Sequence, residues 1–256
     1  MPKRTKERKR RIPKRLEIEP LLEAVWELRF EGDPAAGGAL PGILFEQYRA
    51  SGREPKIETL PPALIPPATR NAQDAFRFAP TSLLRFGNYA VLTGDRIAAL
   101  SVTRPYPGWA EYERRISELA GWLRDSKMVK TPEQCTLKYL DFFECGLEEV
   151  FKRLRVQIRI GKWQAEPGEL RLQMKVQARR FDGIIQIMNP ARVTVEGQAK
   201  EGLVTDVQVT WKKKSDGDFW KGFPEMLARA KTACHELFFG LLNEETLQAH
   251  GPIYED

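Results

Sequence analysis

The chain predicts an α+β fold, an antiparallel sheet with two long helices packed on one face. Three observations lead there: runs that alternate apolar and polar residues, turn-forming pairs between those runs, and two long stretches with apolar residues every three or four positions. At 256 residues the chain can bury a substantial core, as one large domain or as two tightly packed halves. No uninterrupted apolar run reaches the roughly 20 residues that span a bilayer.

The first fifteen residues hold nine Lys or Arg against Glu7 alone, a net charge of +8. The whole chain carries +6, so residues 16–256 sum to −2. The sequence pI of about 9.2 thus describes a leader and not a body. Apart from Met1, Ile12 is its one sizeable aliphatic side chain, and residues 1–15 are expected to form a disordered basic arm. Glu17 and Glu19 interrupt the residues that follow, so the arm does not read as a secretory signal.

Glu23–Phe30 comes next, with Ala24, Trp26, Leu28 and Phe30 on one side and Glu23, Val25, Glu27 and Arg29 on the other, a strand. Gly32–Gly42 reads as a loop and Ile43–Ala50 as a short helix. Pro55, Pro61, Pro62, Pro66 and Pro67 then mark an edge or a surface crossing, because proline lacks the donor a central strand needs. Three strands are expected near Phe76–Phe78, Leu83–Phe86 with Ala90–Thr93, and Ile97–Val102. Gly87-Asn88 and Gly94-Asp95 supply the turns between them. Trp109, Tyr112, Ile116, Leu119 and Leu123 define the first long helix.

A second half repeats this order. Leu137–Phe143 reads as a strand, and Leu154–Ile160 and Leu170–Arg180 as amphipathic strands that could form a hairpin around Gly161–Gly168. Ile184–Met188, Arg192–Glu196 and Leu203–Trp211 continue the pattern. Trp220, Phe223, Leu227, Ala230, Cys234, Leu237 and Leu241 form the stripe of the closing helix. The organisation expected is an arm at 1–15, a first half at 16–130 and a second at 131–256, packed as one unit. The repeated order suggests a pseudo-duplicated, helix-grip-like arrangement whose strands could curl around a helix and enclose a cavity.

Chemistry is harder to find. Neither a phosphate-cradling glycine loop nor a GxSxG elbow is present. His235 and His250 are fifteen residues apart, and Cys135, Cys145 and Cys234 lack CxxC spacing, so no metal set and no cofactor are expected. Odd, unspaced cysteines suit reduced thiols in a cytoplasmic protein. No residue is assigned a catalytic role.

Two constellations remain. Glu27 and Arg29 share one strand face, as do Tyr139 and Asp141, and the four could converge as a ligand-binding or hydrolytic site if their strands adjoin. The bland alternative is a structural ion pair that fixes register. The second is a basic surface of Arg153, Arg155, Arg159, Arg171, Lys175 and Arg179 with glutamines between. With Lys3, Arg4, Arg8, Lys9, Arg10 and Arg11 of the arm it could contact nucleic acid. An ordinary solvated strand face explains it equally.

The run Pro20-Leu21-Leu22-Glu23-Ala24-Val25-Trp26-Glu27-Leu28-Arg29-Phe30 resembles the N-terminal signature of an uncharacterised, sporadically distributed family of bacterial and archaeal proteins. Leu137-Lys138-Tyr139-Leu140-Asp141 and Ala233-Cys234-His235-Glu236-Leu237-Phe238-Phe239 resemble two further pieces of it. Lys138, Asp141 and Cys234 depart from the family pattern. The resemblance implies no established activity, and a sporadic distribution suggests genes of mobile or defence loci. The function expected is a non-enzymatic binding or adaptor protein for a protein or nucleic-acid partner, with the small-ligand site as the alternative.

Overall fold

The computed structural model describes residues 11–164, 166, 168–195, 197–213 and 218–254. In chain order the first half comprises β1 (Arg15–Leu16), β2 (Leu21–Gly32), α1 (Ala36–Ala50), β3 (Lys56–Thr59), α2 (Pro67–Ala72), β4 (Ser82–Phe86), β5 (Tyr89–Thr93), β6 (Ile97–Thr103) and α3 (Trp109–Asp125). The second comprises β7 (Val129–Glu144), α4 (Val150–Arg153), β8 (Arg159–Ile160), β9 (Trp163–Gln164), β10 (Leu170–Ala178), β11 (Phe181–Val195), β12 (Gln198–Lys212), α5 (Phe219–Leu241), α6 (Glu244–Ala249) and β13 (Pro252–Ile253).

Nine of these strands form one antiparallel sheet in the order β10-β11-β12-β7-β2-β6-β5-β4-β3. The fold is α+β, and the sheet is continuous across both halves. Outward from the centre the first half runs β2-β6-β5-β4 and the second β7-β12-β11-β10, so each half follows one plan around the β2–β7 seam.

The long helices α1, α3 and α5 sit on a single face. There β2 presents Ala24, Trp26, Leu28 and Phe30, all fully buried. Phe223 of α5 meets the Trp26 ring edge-on at 5.8 Å. The Tyr112 hydroxyl of α3 reaches the carbonyl oxygens of Leu100 at 2.8 Å and Ala24 at 3.1 Å. Tyr48 of α1 packs on Phe86 at 4.4 Å. Large side chains of this kind cost about 3–5 kcal/mol each when truncated to alanine.

Several local expectations change. Helix α1 begins at Ala36, not Ile43, because Ala36, Leu40, Leu44 and Tyr48 form a buried stripe that outweighs Gly37, Gly38 and Pro41. Three long helices, not two, therefore cover the face. Phe76–Phe78 is not a strand: the amides of Phe76 and Arg77 both bond to the Gln73 carbonyl, so this backbone satisfies itself in turns. The expected hairpin between Leu154–Ile160 and Leu170–Arg180 does not form. Strand β10 pairs with β11, while Leu154 bridges to Leu242 and only Arg159–Ile160 is extended, against Trp163–Gln164. Tight turns at Arg179 and Gly161 each close a more local hairpin, which costs less chain entropy.

Candidate functional site

The chain entering β2 is a strap. Arg15 and Leu16 pair with Ile253 and Pro252, and the amides of Glu17 and Ile18 bond to Gly251 and His250. Leu16 is buried, and the Lys14 carbonyl accepts a bond from His235 Nε2 at 3.1 Å. The arm expected to be free through Arg15 is thus anchored from Pro13, which is itself buried. The apolar side chain that sequence reading placed outside the arm, Leu16, is what pins its end. Lys3, Arg4, Arg8, Lys9 and Arg10 lie outside the described residues, and the Arg11 guanidinium stands 5.3 Å over the Tyr254 ring.

Beneath the strap, between α5 and the helix-side face of the sheet, lies a cavity of about 100 Å³. Its polar wall combines Tyr139 and Asp141 of β7 with Lys231 and Cys234 of α5 and Tyr106 from the β6–α3 loop. Leu16, Pro20, Leu21, Phe238 and Phe239 supply the apolar wall, and Arg15, Glu19 and His235 also line the space. Residues 231, 234, 235 and 238 follow helical spacing, so one face of α5 is aimed at the space.

The electrostatics are those of charge held away from water. Burial pushes the Asp141 carboxyl up from its ordinary 3.8 to about 7, partly offset by Lys231 and Arg104 and reinforced by Glu19 and Asp206. Burial likewise pulls the Lys231 ammonium down, although Cys234, Asp141 and Glu19 oppose it. Its Nζ stands 4.5 Å over the Tyr139 ring and 5.6 Å from that of Trp109. Desolvation raises the Cys234 thiol to about 12, and its sulfur lies 3.4 Å from the Leu137 carbonyl. The Tyr106 and Tyr139 hydroxyls are buried and near enough for each to shift the other as a hydrogen-bond partner, yet the pair falls short of hydrogen-bond geometry and neither has another partner among the described residues.

Glu27 and Arg29 are not part of this site. They lie on the opposite face of the sheet, joined to each other at 2.7 Å, with the Arg29 guanidinium 4.8 Å over Phe78. The register decides it: Glu27 pairs with Thr136 and Ala24 with Tyr139, so Tyr139 and Asp141 share the face of Ala24 and Trp26. The four expected side chains divide into a half-buried ion pair on the open face and two residues of the cavity wall.

The basic surface is also divided. Arg171 and Lys175 are exposed on the open face of β10, beside a trough in which Lys138 pairs with Asp206 at 2.9 Å and Lys212 with Asp182 at 3.0 Å. Arg153 bonds to Glu149 at 2.9 Å, Arg179 bonds to Glu236 of α5, and Arg159 turns back to the Gly161 carbonyl. The Arg155 amide bonds to Leu241. An exposed aromatic appears instead at the β8–β9 tip, where Trp163 is 71% and Ile160 75% exposed and Lys162 Nζ lies 5.1 Å over the Trp163 ring.

Sequence reading missed Lys231, Tyr106 and Glu19. Lys231 had a signal: it is a cation inside the apolar stripe of α5, four residues after Leu227 and three before Cys234. Tyr106 and Glu19 sit on connections and carry none. Among the described residues no three His, Cys, Asp or Glu group as a metal site, and no helix is long and apolar enough to cross a membrane. No protein-family model and no curated protein match the chain.

Proposed function

We propose that this chain is a non-enzymatic binding protein whose ligand-binding centre is the cavity between α5 and the sheet. One observation carries the reading. Asp141, Lys231 and the Tyr106 and Tyr139 hydroxyls line one half-open space, and the two buried hydroxyls have no hydrogen-bond partner among the described residues. Buried polar groups in native folds are nearly always partnered, and clustered perturbed ionisable groups in a concave space mark binding sites. The Cys234 thiol is held protonated and His235 is engaged by the strap, so neither is activated as a nucleophile. A thermal-shift panel of small acids, amines and amides on the full chain tests this. At least one class should raise the melting temperature of the parent and leave the cavity-filling variant Leu21→Trp unmoved. If every class affects both proteins alike, the cavity is only a packing defect.

A second role, contact with a protein or nucleic-acid partner, is favoured by the exposed Trp163 beside Lys162 of the β8–β9 turn, together with the cationic residues that precede Arg11. Aromatic stacking beside cations suits single-stranded nucleic acid. In a gel-shift titration with single-stranded RNA, binding should weaken as salt rises and drop about tenfold in Trp163→Ala, consistent with about 1–3 kcal/mol per stacked base. No shift at low salt would eliminate this role. A cytoplasmic setting, with its three free cysteines reduced, and a mobile or defence locus belong to the same proposal.

A further inference from the structure

The polar wall of the cavity is donor-rich. The Lys231 ammonium offers three N–H groups, and Tyr106 and Tyr139 one O–H each, against the carboxyls of Asp141 and Glu19, the second of which faces Arg15. Neither hydroxyl meets hydrogen-bond geometry with a described residue, and among the described residues Lys231 faces only the Tyr139 and Trp109 rings and no hydrogen-bonding carboxylate. Opposite them stand Leu16, Leu21, Phe238 and Phe239, which can contact only apolar matter. A space of about 100 Å³ suits a molecule of a few heavy atoms, held at one end by the polar wall. Resting on the cavity reading above, we infer that the ligand is a short monocarboxylate, its two oxygens held by Lys231, Tyr139 and Tyr106 and its apolar tail laid against Leu21, Phe238 and Phe239.

The charge balance then sets a condition. Lys231 with Asp141, and Arg15 with Glu19, are each neutral when both members are ionised, so an entering carboxylate brings an uncompensated negative charge. Asp141 takes up one proton on binding and donates it as a hydrogen bond to the ligand, as one carboxyl does to another. The groups that act on Asp141 agree with this: Lys231 on α5 and Arg104 after β6 are the cations, and Glu19 of the strap and Asp206 of β12 are further anions. Cys234 and Tyr139 carry no charge near neutrality, since burial raises both. His235 is held neutral by burial, with its Nε2 on the Lys14 carbonyl. Affinity is therefore highest where Asp141 is protonated and the free ligand is ionised, and it falls about tenfold per pH unit above about 7.

Isothermal titration of the full chain with acetate, propionate and butyrate, at pH 6 and pH 8.5, tests this, with butylamine, butyramide and inorganic phosphate as comparators. Butyrate should bind best at pH 6 and lose at least tenfold by pH 8.5. Asp141→Asn should bind at both pH values alike, because its amide donates without a proton. Lys231→Met, which keeps the length of the side chain, should lose at least tenfold. Should Lys231→Met fail to fold, Tyr139→Phe provides the second variant, with a loss of about fivefold to tenfold. Binding of butylamine or butyramide but not butyrate overturns the carboxylate assignment while the cavity remains a ligand site. Binding of none of them, with no panel compound acting through the cavity, overturns both. Equal butyrate affinity at the two pH values overturns the proton uptake at Asp141.

Discussion

Replacing Asp141 with asparagine is expected to stabilise the protein, by an amount that grows with pH. The carboxyl is 4% exposed on the helix-side face of β7, and burial raises it from 3.8 to about 7. Between those values the folded chain holds a proton that the unfolded chain has released, so stability falls as pH rises through this window and then levels off. At about 1.36 kcal/mol per pH unit, the raised Asp141 carboxyl costs the fold on the order of 4 kcal/mol at pH 8, less than half of that at pH 5 and almost nothing at pH 3. Asparagine has the shape of the protonated carboxyl and never ionises, so the variant escapes the whole cost, while Lys231 stays in the surroundings it has in the protonated fold. Urea denaturation of both proteins at pH 5 and pH 8 reads the difference. A stability gain that is the same at both pH values, or a loss at pH 8, would refute the claim that Asp141 is buried without an adequate partner.

Other consequences are as specific. Tyr139→Phe removes a buried hydroxyl that bonds to no described residue, so stability should stay within about 1 kcal/mol of the parent or rise, by chemical denaturation. Arg70→Ala should cost about 3–5 kcal/mol. Its guanidinium is 6% exposed, holds both Asp95 oxygens at 2.9 Å and reaches the Pro62 carbonyl, and only Gly37 leaves room for that carboxylate, since a Cβ there would lie 2.0 Å from Asp95 Oδ1. Leu16→Asp should loosen the strap and speed modification of Cys234 by a thiol reagent, followed by mass spectrometry in a Cys145→Ser background. Unchanged Cys234 reactivity would mean that the strap does not close the cavity.

The strands and helices were legible where one face is uniformly apolar. Trp26 with its neighbours at even spacing, and Tyr112, Ile116 and Leu119 at helical spacing, report burial directly, because the period of the side chains equals the period of the backbone. Helix α1 was half hidden, since its glycines and Pro41 are read locally while its stripe is satisfied only by tertiary packing. For the cavity, the pairing of Tyr139 with Asp141 followed from their separation by two residues along one strand. Their supposed approach to Glu27 and Arg29 depended on the register between β2 and β7, which no single strand encodes: shifting it by one residue would exchange the faces. Lys231 could have been noticed, because a lysine inside an apolar helical stripe must either reach solvent or find an interior role. Leu16 marked the end of the arm more accurately than the basic count did.

The most direct test is a carbon-13 NMR titration of the Asp141 side-chain carboxyl, assigned through Asp141→Asn, with and without butyrate. A midpoint near 7 that moves upward when butyrate is added is the result expected of a buried acid that shares its proton with a bound carboxylate. An ordinary carboxylate midpoint near 4 would contradict the desolvated site, and a midpoint near 7 that butyrate leaves unmoved would contradict its occupant.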